Sequence, residues 1–190
     1  MKGLHLEKKG IRLFALAESF RKEKFKSILT GVVMRKDLII DGIVFGSTTI
    51  GGNDSTDSIL AMLKRLKRND INLILLDGII ISMYNIIDGD KINSDTGLPV
   101  IAITFNKSLG INDSIKNYFP DEYQLKLKQL EKSGRRDKIM LWTGKALWIR
   151  HWGIELSDSI RILDSCTMQG AIPEPIKIAK IIARAYLATI

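Results

Sequence analysis

Apolar residues fall along this chain in two rhythms. Ile11 to Ala17 is almost wholly apolar and ends at Glu18-Ser19. Such a run reads as a strand covered on both faces, because a helix would repeat its apolar positions every three or four residues. Charged Arg21-Lys22-Glu23-Lys24 turns the chain into a second strand, Phe25 to Met34, with a bulge expected at Gly31. Arg35-Lys36-Asp37 turns it again into a third, Leu38 to Phe45, interrupted by Asp41-Gly42. Short polar turns between consecutive strands predict an antiparallel meander. After the Gly- and Thr-rich loop 46–53 the rhythm changes. Ile59, Met62, Leu63 and Leu66 recur at helical spacing behind Asn53 or Asp54 as N-cap. Leu73-Ile74-Leu75-Leu76 then returns to the unbroken strand pattern and stops on Asp77-Gly78.

Beyond that point Ile79 to Ile87 predicts a helix entered from the strand end, 93–97 a loop, and Leu98 to Phe105 another buried strand. Residues 106–120 read as irregular or weakly helical, and Asp121 to Lys132 as a polar amphipathic helix carrying Leu125, Leu127 and Leu130. Ile139 to Trp142 and Ala146 to Trp152 predict two short strands. Ser157 to Met168 and Glu174 to Leu187 predict the closing helices. The order implies an α/β fold: a mixed sheet, with a three-strand antiparallel meander plus parallel strands, flanked by helices as in ribonuclease-H-like folds. In that layout the first strand lies beside the strand that follows the first helix, so Glu18 and Asp77 end side by side.

Composition narrows the class without changing this picture. At 190 residues, 45% hydrophobic and 26% charged, the chain fits a single domain, 1–190, able to bury a core. No apolar run approaches the roughly 20 residues needed to cross a bilayer. The first residues lack a signal-peptide core, and Cys166 is the single cysteine. A cytoplasmic protein without a membrane span is the expectation. A net charge of +8 and a pI near 9.6 point towards a polyanionic partner. The basic residues cluster at Arg21/Lys22/Lys24/Lys26, Arg35/Lys36, Lys64/Arg65/Lys67/Arg68 and Lys132/Arg135/Arg136/Lys138. Solvated faces account for each cluster taken singly.

Three carboxylates stand at element ends: Glu18 closing the first strand, Asp54 opening the first helix and Asp77 closing the buried strand. Metal-assisted phosphodiester hydrolysis needs carboxylates gathered at one point, since Mg²⁺ or Mn²⁺ takes hard oxygen ligands and keeps waters free to react. Each has a plainer reading, Asp54 as a helix cap and Glu18 as a solvated strand end. Asp77 is the hardest to explain away, because an Asp on a buried apolar strand needs a partner. Asp57 reads as a first-turn helix residue, and Asp41 and Asp88, each before glycine, are further candidates equally well explained as turn residues. Gly51-Gly52 before the helix are candidates to cradle a phosphate through backbone N–H groups, although neither a P-loop nor GxGxxG is present. Ser19, Cys166, His5 and His151 form no nucleophile–base arrangement, and Trp142, Trp148 and Trp152 read as packing residues.

Taken in order, Gly10-Ile11-Arg12 to Ala17-Glu18-Ser19, Gly31 to Arg35 with Ile40-Asp41-Gly42, Gly51-Gly52-Asn53-Asp54-Ser55-Thr56-Asp57, Leu76-Asp77-Gly78-Ile79 with Tyr84-Asn85-Ile86-Ile87-Asp88, Gly97-Leu98-Pro99-Val100 and Ile172-Pro173-Glu174-Pro175 to Ala179 resemble the archaeal endonuclease dU family, itself similar to endonuclease V. The resemblance implies a ribonuclease-H-like fold and Mg- or Mn-dependent endonuclease chemistry on damaged, deaminated DNA, in single strands or damaged duplex. It implies metal-binding roles for Glu18, Asp54 and Asp77. Endonuclease V carries Asp where this chain has Glu18, and His or Asp where it has Lys180. Its active-site Lys falls near Phe105, leaving Lys107 as the close basic residue. Arg35, Gly51, Gly52, Asn53, Lys107 and Lys180 are the expected nucleic-acid contacts. The main alternative is a non-catalytic binding module for nucleic acid or protein on the same scaffold. A third reading is hydrolysis of a small phosphorylated molecule.

Overall fold

The computed structural model describes residues 10–105 and 111–190. Strands β1 (Arg12–Ser19), β2 (Lys26–Arg35) and β3 (Ile40–Thr49) lead into helix α1 (Ser55–Leu66), and β4 (Leu73–Leu76) follows. Next come the small strands β5 (Ile80–Ile81) and β6 (Asn85–Ile86), helix α2 (Gly89–Thr96) and β7 (Val100–Thr104). Helices α3 (Ile111–Tyr118) and α4 (Tyr123–Lys132), strands β8 (Asp137–Met140) and β9 (Ala146–Trp152), and helices α5 (Leu156–Ser165) and α6 (Glu174–Ala188) complete the order.

Seven strands form one sheet in the order β3-β2-β1-β4-β7-β9-β8. The meander β1–β3 is antiparallel, β4 and β7 run parallel to β1, and the β8–β9 hairpin closes the far side antiparallel. This is the mixed, helix-flanked sheet the hydrophobic pattern predicts. The unbroken runs have a direct cause. Leu13, Ala15, Leu73 and Leu75 pack on one face with Ile162 and Leu163 of α5 and Ile176 of α6. Phe14, Leu16, Ile74 and Leu76 pack on the other with Ile59 and Met62 of α1 and Ile92 of α2. Both faces are covered, so both parities are apolar. All four residues of β4 have no accessible surface, and each buried aliphatic side chain contributes about 2 kcal/mol.

Local differences from the sequence reading each have a reason. The bulge falls between Val33 and Met34, not at Gly31. A Cβ at Gly31 would lie 2.3 Å from the Phe14 ring, so glycine there makes room for an aromatic crossing β2. Strand β3 runs on to Thr49, past the expected loop start at 46. Residues 93–97 belong to α2 and its Gly97 cap, with Asp88 accepting from the Lys91 amide at the other end. The helix expected over 79–87 is instead the β5–β6 hairpin, turning through Ser82, Met83 and Tyr84, all at positive φ. Three consecutive non-glycine residues in that region carry strain.

Candidate active site

Parallel pairing of β1 with β4 aligns Leu16 with Leu76, and the Asp77 amide donates to the Leu16 carbonyl at 3.1 Å. Glu18 and Asp77 therefore finish at neighbouring strand ends, as the topology predicts. Both line an open cavity of about 980 Å³ above the carboxyl ends of β1, β4 and β7. Glu18 is oriented by the strained hairpin: the Ser82 amide donates to Oε1 at 2.8 Å and the Ser82 hydroxyl to Oε2. Burial, more than anything else, holds the Glu18 carboxyl above its ordinary pKa, with the Asp77 charge adding to the rise and Ser82 and Lys180 opposing it. Asp77 has a cation of its own. Lys180 of α6 places Nζ 2.8 Å from Asp77 Oδ2 and 5.7 Å from the centre of the Phe105 ring.

Asp54 stands at the N-cap position of α1, yet its side chain makes no capping bond. The carboxylate turns back onto β3 and the hairpin. Oδ1 accepts from the Thr48 hydroxyl, the Thr49 amide at 3.0 Å and Asn85 Nδ2 at 2.7 Å, and Oδ2 from the Thr49 hydroxyl at 2.9 Å. Burial pushes its pKa up, but these donors outweigh it and bring the group down to about 2. A polar thread joins this carboxylate to Glu18. Asn85 also donates to the Thr48 hydroxyl at 2.9 Å, and on the adjacent strand the Ser27 hydroxyl lies 2.6 Å from that of Ser82, which holds Glu18. Glu18, Asp77 and Lys180 are thus brought together, with Asp54 behind them. Among the described residues no three His, Cys, Asp or Glu side chains gather closely enough to hold a metal ion.

Several other expected site residues are placed elsewhere or are occupied. The phosphate cradle at Gly51-Gly52 is not open, because the Gly51 amide donates to Ser82 O at 2.6 Å and the Gly52 amide to Thr49 O at 3.1 Å. The loop presents carbonyls to the buried ammonium of Lys126, which contacts Gly51 O, Gly52 O, Asn53 Oδ1 and Tyr84 O at 3.0–3.2 Å and lies over the Phe119 ring. Asn53 is spent on that lysine and on Glu122 at 2.8 Å. Arg35 pairs across the meander with Arg12, while Glu18 pairs with Leu29. It lies six residues, about 20 Å of strand, from the carboxylates, and bonds Asp37 at 2.5 Å. Lys107 and His5 lie outside the described residues. Asp41 is tied to Arg12 and Arg68, which lower its pKa, and Asp57 is an exposed first-turn residue of α1. Cys166 is buried, with its thiol pushed up to about 12.

Four side chains of this region escaped the sequence reading. Ser82 and Asn85 sit in a segment that looks helical, without a glycine to flag the turn. Lys126 is the buried residue of α4, where Leu125 is half exposed. The only sequence trace of its role is Glu122 one turn earlier, at 3.6 Å. Arg150, on the cavity wall with Arg136, alternates with apolar residues of β9 as any half-exposed strand residue would.

Two carboxylates at adjacent strand ends, facing one cavity, suit a hard divalent ion that keeps most of its waters and takes one or two protein oxygens. An ion held between them would relieve the repulsion between the Glu18 and Asp77 charges.

The sequence profile of the family described as Endonuclease dU matches residues 9–187. A UPF0215 protein of Pyrobaculum calidifontis is 34% identical over 178 residues, covering 92% of this chain and 97% of the relative. Among solved structures, a protein of unknown function from Archaeoglobus fulgidus superposes with a TM-score of 0.81 at 24% identity, covering 93% and 98% of the two chains. Endonuclease V of Ciona intestinalis, in complex with DNA containing an inosine followed by a ribo-adenosine, superposes with a TM-score of 0.62 at 18% identity over 95% and 87%. The fold shared with endonuclease V is the ribonuclease-H-like one.

Proposed function

The chain belongs to the endonuclease dU family, and from that premise we propose that it is a Mg²⁺- or Mn²⁺-dependent endonuclease that hydrolyses phosphodiesters in deaminated DNA. The observation that carries this reading is the Glu18–Asp77 pair at the ends of adjacent parallel strands, opening on a cavity with arginines on its far wall. Glu18 and Asp77 would hold the ion, which when bound polarises the phosphate and makes a coordinated water easier to deprotonate. The chain's own part is orientation. Ser82 fixes both oxygens of Glu18, and the Asp54–Thr48–Asn85 set fixes the hairpin from which Ser82 projects. Asp54, implied as a third ligand by the family resemblance, would join the shell only by giving up donors it now holds. Lys180 neutralises Asp77 and lies near enough to Glu18 to lower its pKa, a position from which an ammonium can follow a phosphate oxygen.

The test is cleavage of oligonucleotides carrying uracil, hypoxanthine or no lesion, with Mg²⁺, Mn²⁺ or EDTA. Lesion-dependent cutting that needs the metal and disappears in Asp77→Asn is the expected result. Unchanged cleavage by that variant would falsify the assignment. One observation favours the second reading, a nucleic-acid-binding module without catalysis: the Lys180 ammonium sits on the carboxylate that a metal would use. Cleavage absent with every metal, alongside retained DNA binding, is the outcome that would favour it.

A further inference from the structure

Arg150 carries a charge that its surroundings do not balance. It is half buried, and its Nε donates to the Gly134 carbonyl at 3.0 Å. Among the described residues no carboxylate lies within salt-bridge distance of it. Burial, and then the nearby Arg136 guanidinium, weigh against its charged form. The register of the hairpin explains that neighbour. Asp137 pairs with Ile149 and Lys138 with Trp148, so Arg136, just before β8, stands opposite Arg150. Like charges directly opposite on adjacent strands are destabilising, and a half-buried charge is costly unless an opposite charge meets it. Both arginines line the cavity that holds Glu18 and Asp77.

Sheet geometry sets their distance from the carboxylates. Leu76 aligns with Ala102, and Ala102 with Arg150. Arg150 is therefore two strand spacings from the end of β4, about 10 Å. Across that separation the cavity has room for a neighbouring phosphate of the same nucleic-acid strand beside the one at Glu18 and Asp77. The Arg150 guanidinium also offers a planar donor fork that matches phosphate oxygens, with the Arg136 charge beside it. Further along β9, Trp148 lies under the Lys138 ammonium at 5.9 Å, which continues the basic track past the pair.

We infer that Arg136 and Arg150 form a phosphate subsite that grips a backbone phosphodiester flanking the one at Glu18 and Asp77, and so sets which bond in the strand reaches the carboxylates. This rests on the nuclease reading for its register, but the binding it predicts does not need catalysis. The experiment is fluorescence anisotropy of a labelled single-stranded deoxyoligonucleotide in EDTA, where no metal-dependent cutting occurs. It compares wild type with Arg150→Ala, Arg150→Lys and Arg136→Ala across a salt series, with thermal melts of each variant. Arg150→Ala is expected to weaken binding roughly tenfold, the scale of a charge-assisted hydrogen bond. It should also flatten the log–log salt slope by about 0.7, one phosphate contact on a single strand. Arg150→Lys should keep the slope and lose part of the affinity, which separates lost charge from lost fold. Unchanged affinity and slope in Arg150→Ala overturns the subsite, as does a weaker affinity with an unchanged slope. Inorganic phosphate forms the second arm. Competition at millimolar or weaker concentration fits a subsite for a chain phosphate, whereas phosphate binding as tight as the oligonucleotide's would make it a free-anion site and overturn the proposal. A protein that never cuts DNA but shows the Arg150 effect sinks the nuclease reading alone.

Discussion

Asp54 and Asp77 sit in neighbouring parts of the same sheet edge and are held in opposite ways. Asp54 is surrounded by neutral donors from Thr48, Thr49 and Asn85, forms no ion pair among the described residues, and titrates near 2. Asp77 is held by an ammonium that reaches across from α6 and faces a cavity with arginines on its far wall. A carboxylate fully satisfied by fixed dipoles is part of the scaffold. A carboxylate paired with a single side chain at a cavity mouth can exchange that partner for another cation. In the function we propose, that difference gives Asp54 a positioning role and Asp77, with Glu18, the metal-binding one.

The sharpest way to break this contrast is to change each carboxylate alone. Asp77→Asn should lower metal-dependent cleavage about a hundredfold or more, the several kcal/mol expected of a lost ligand, with little change in thermal stability. Asp54→Ala should do the reverse. It strands the Thr48, Thr49 and Asn85 donors and should cost about 3 kcal/mol of unfolding free energy, read from urea melts. If Asp54→Ala melts like wild type and cleavage collapses as in Asp77→Asn, the two carboxylates share one role and the contrast is wrong.

A smaller effect sharpens the Asp77 side. Removing the resident cation with Lys180→Ala should strengthen Mn²⁺ binding about tenfold by calorimetry, near 1.4 kcal/mol, because the ion no longer competes with the ammonium. Weaker or equal Mn²⁺ binding would mean that Lys180 does not occupy the place of the ion.

The smallest effects are in pH. Asp54 is depressed in the folded state, so its contribution is complete above about 3.8 and is lost as pH falls towards about 2. The stability gap between wild type and Asp54→Ala should close across that window. Glu18 has the opposite sign. Its folded pKa is raised above the ordinary 4.5, so its charge costs stability increasingly as pH rises past that value. Glu18→Gln should therefore match wild type in acid and equal or exceed it at neutral pH. Urea midpoints measured at pH 2.5, 4 and 7 check both signs, and a Gln variant weaker than wild type at pH 7 would contradict the second.

Much of the fold was legible because both faces of the central strands are buried. The apolar runs of β1 and β4 read directly as buried strands, and α1 showed itself through Ile59 and Met62 at helical spacing. The segment 79–87 failed for a physical reason. It is as apolar as a core helix, and Ser82, Met83 and Tyr84 accept left-handed backbone without the glycines that normally announce a turn. Lys126 failed for a related one. A helix exposes most lysines, and only the carbonyls of two distant loops explain why this one is buried.

The sequence by itself determined the layered sheet, the adjacency of Glu18 and Asp77 and the basic character of the molecule, because these follow from hydrophobic periodicity, connection order and composition. Tertiary structure alone decided what each charge faces. It turned Asp54 inward onto threonine and asparagine donors, filled the Gly51-Gly52 loop with a lysine, and set Lys180 of α6 on Asp77. It also brought Arg136 and Arg150 together across a hairpin. Periodicity records which residues are buried, whereas the partner of a polar group depends on directional contacts between segments far apart in the chain.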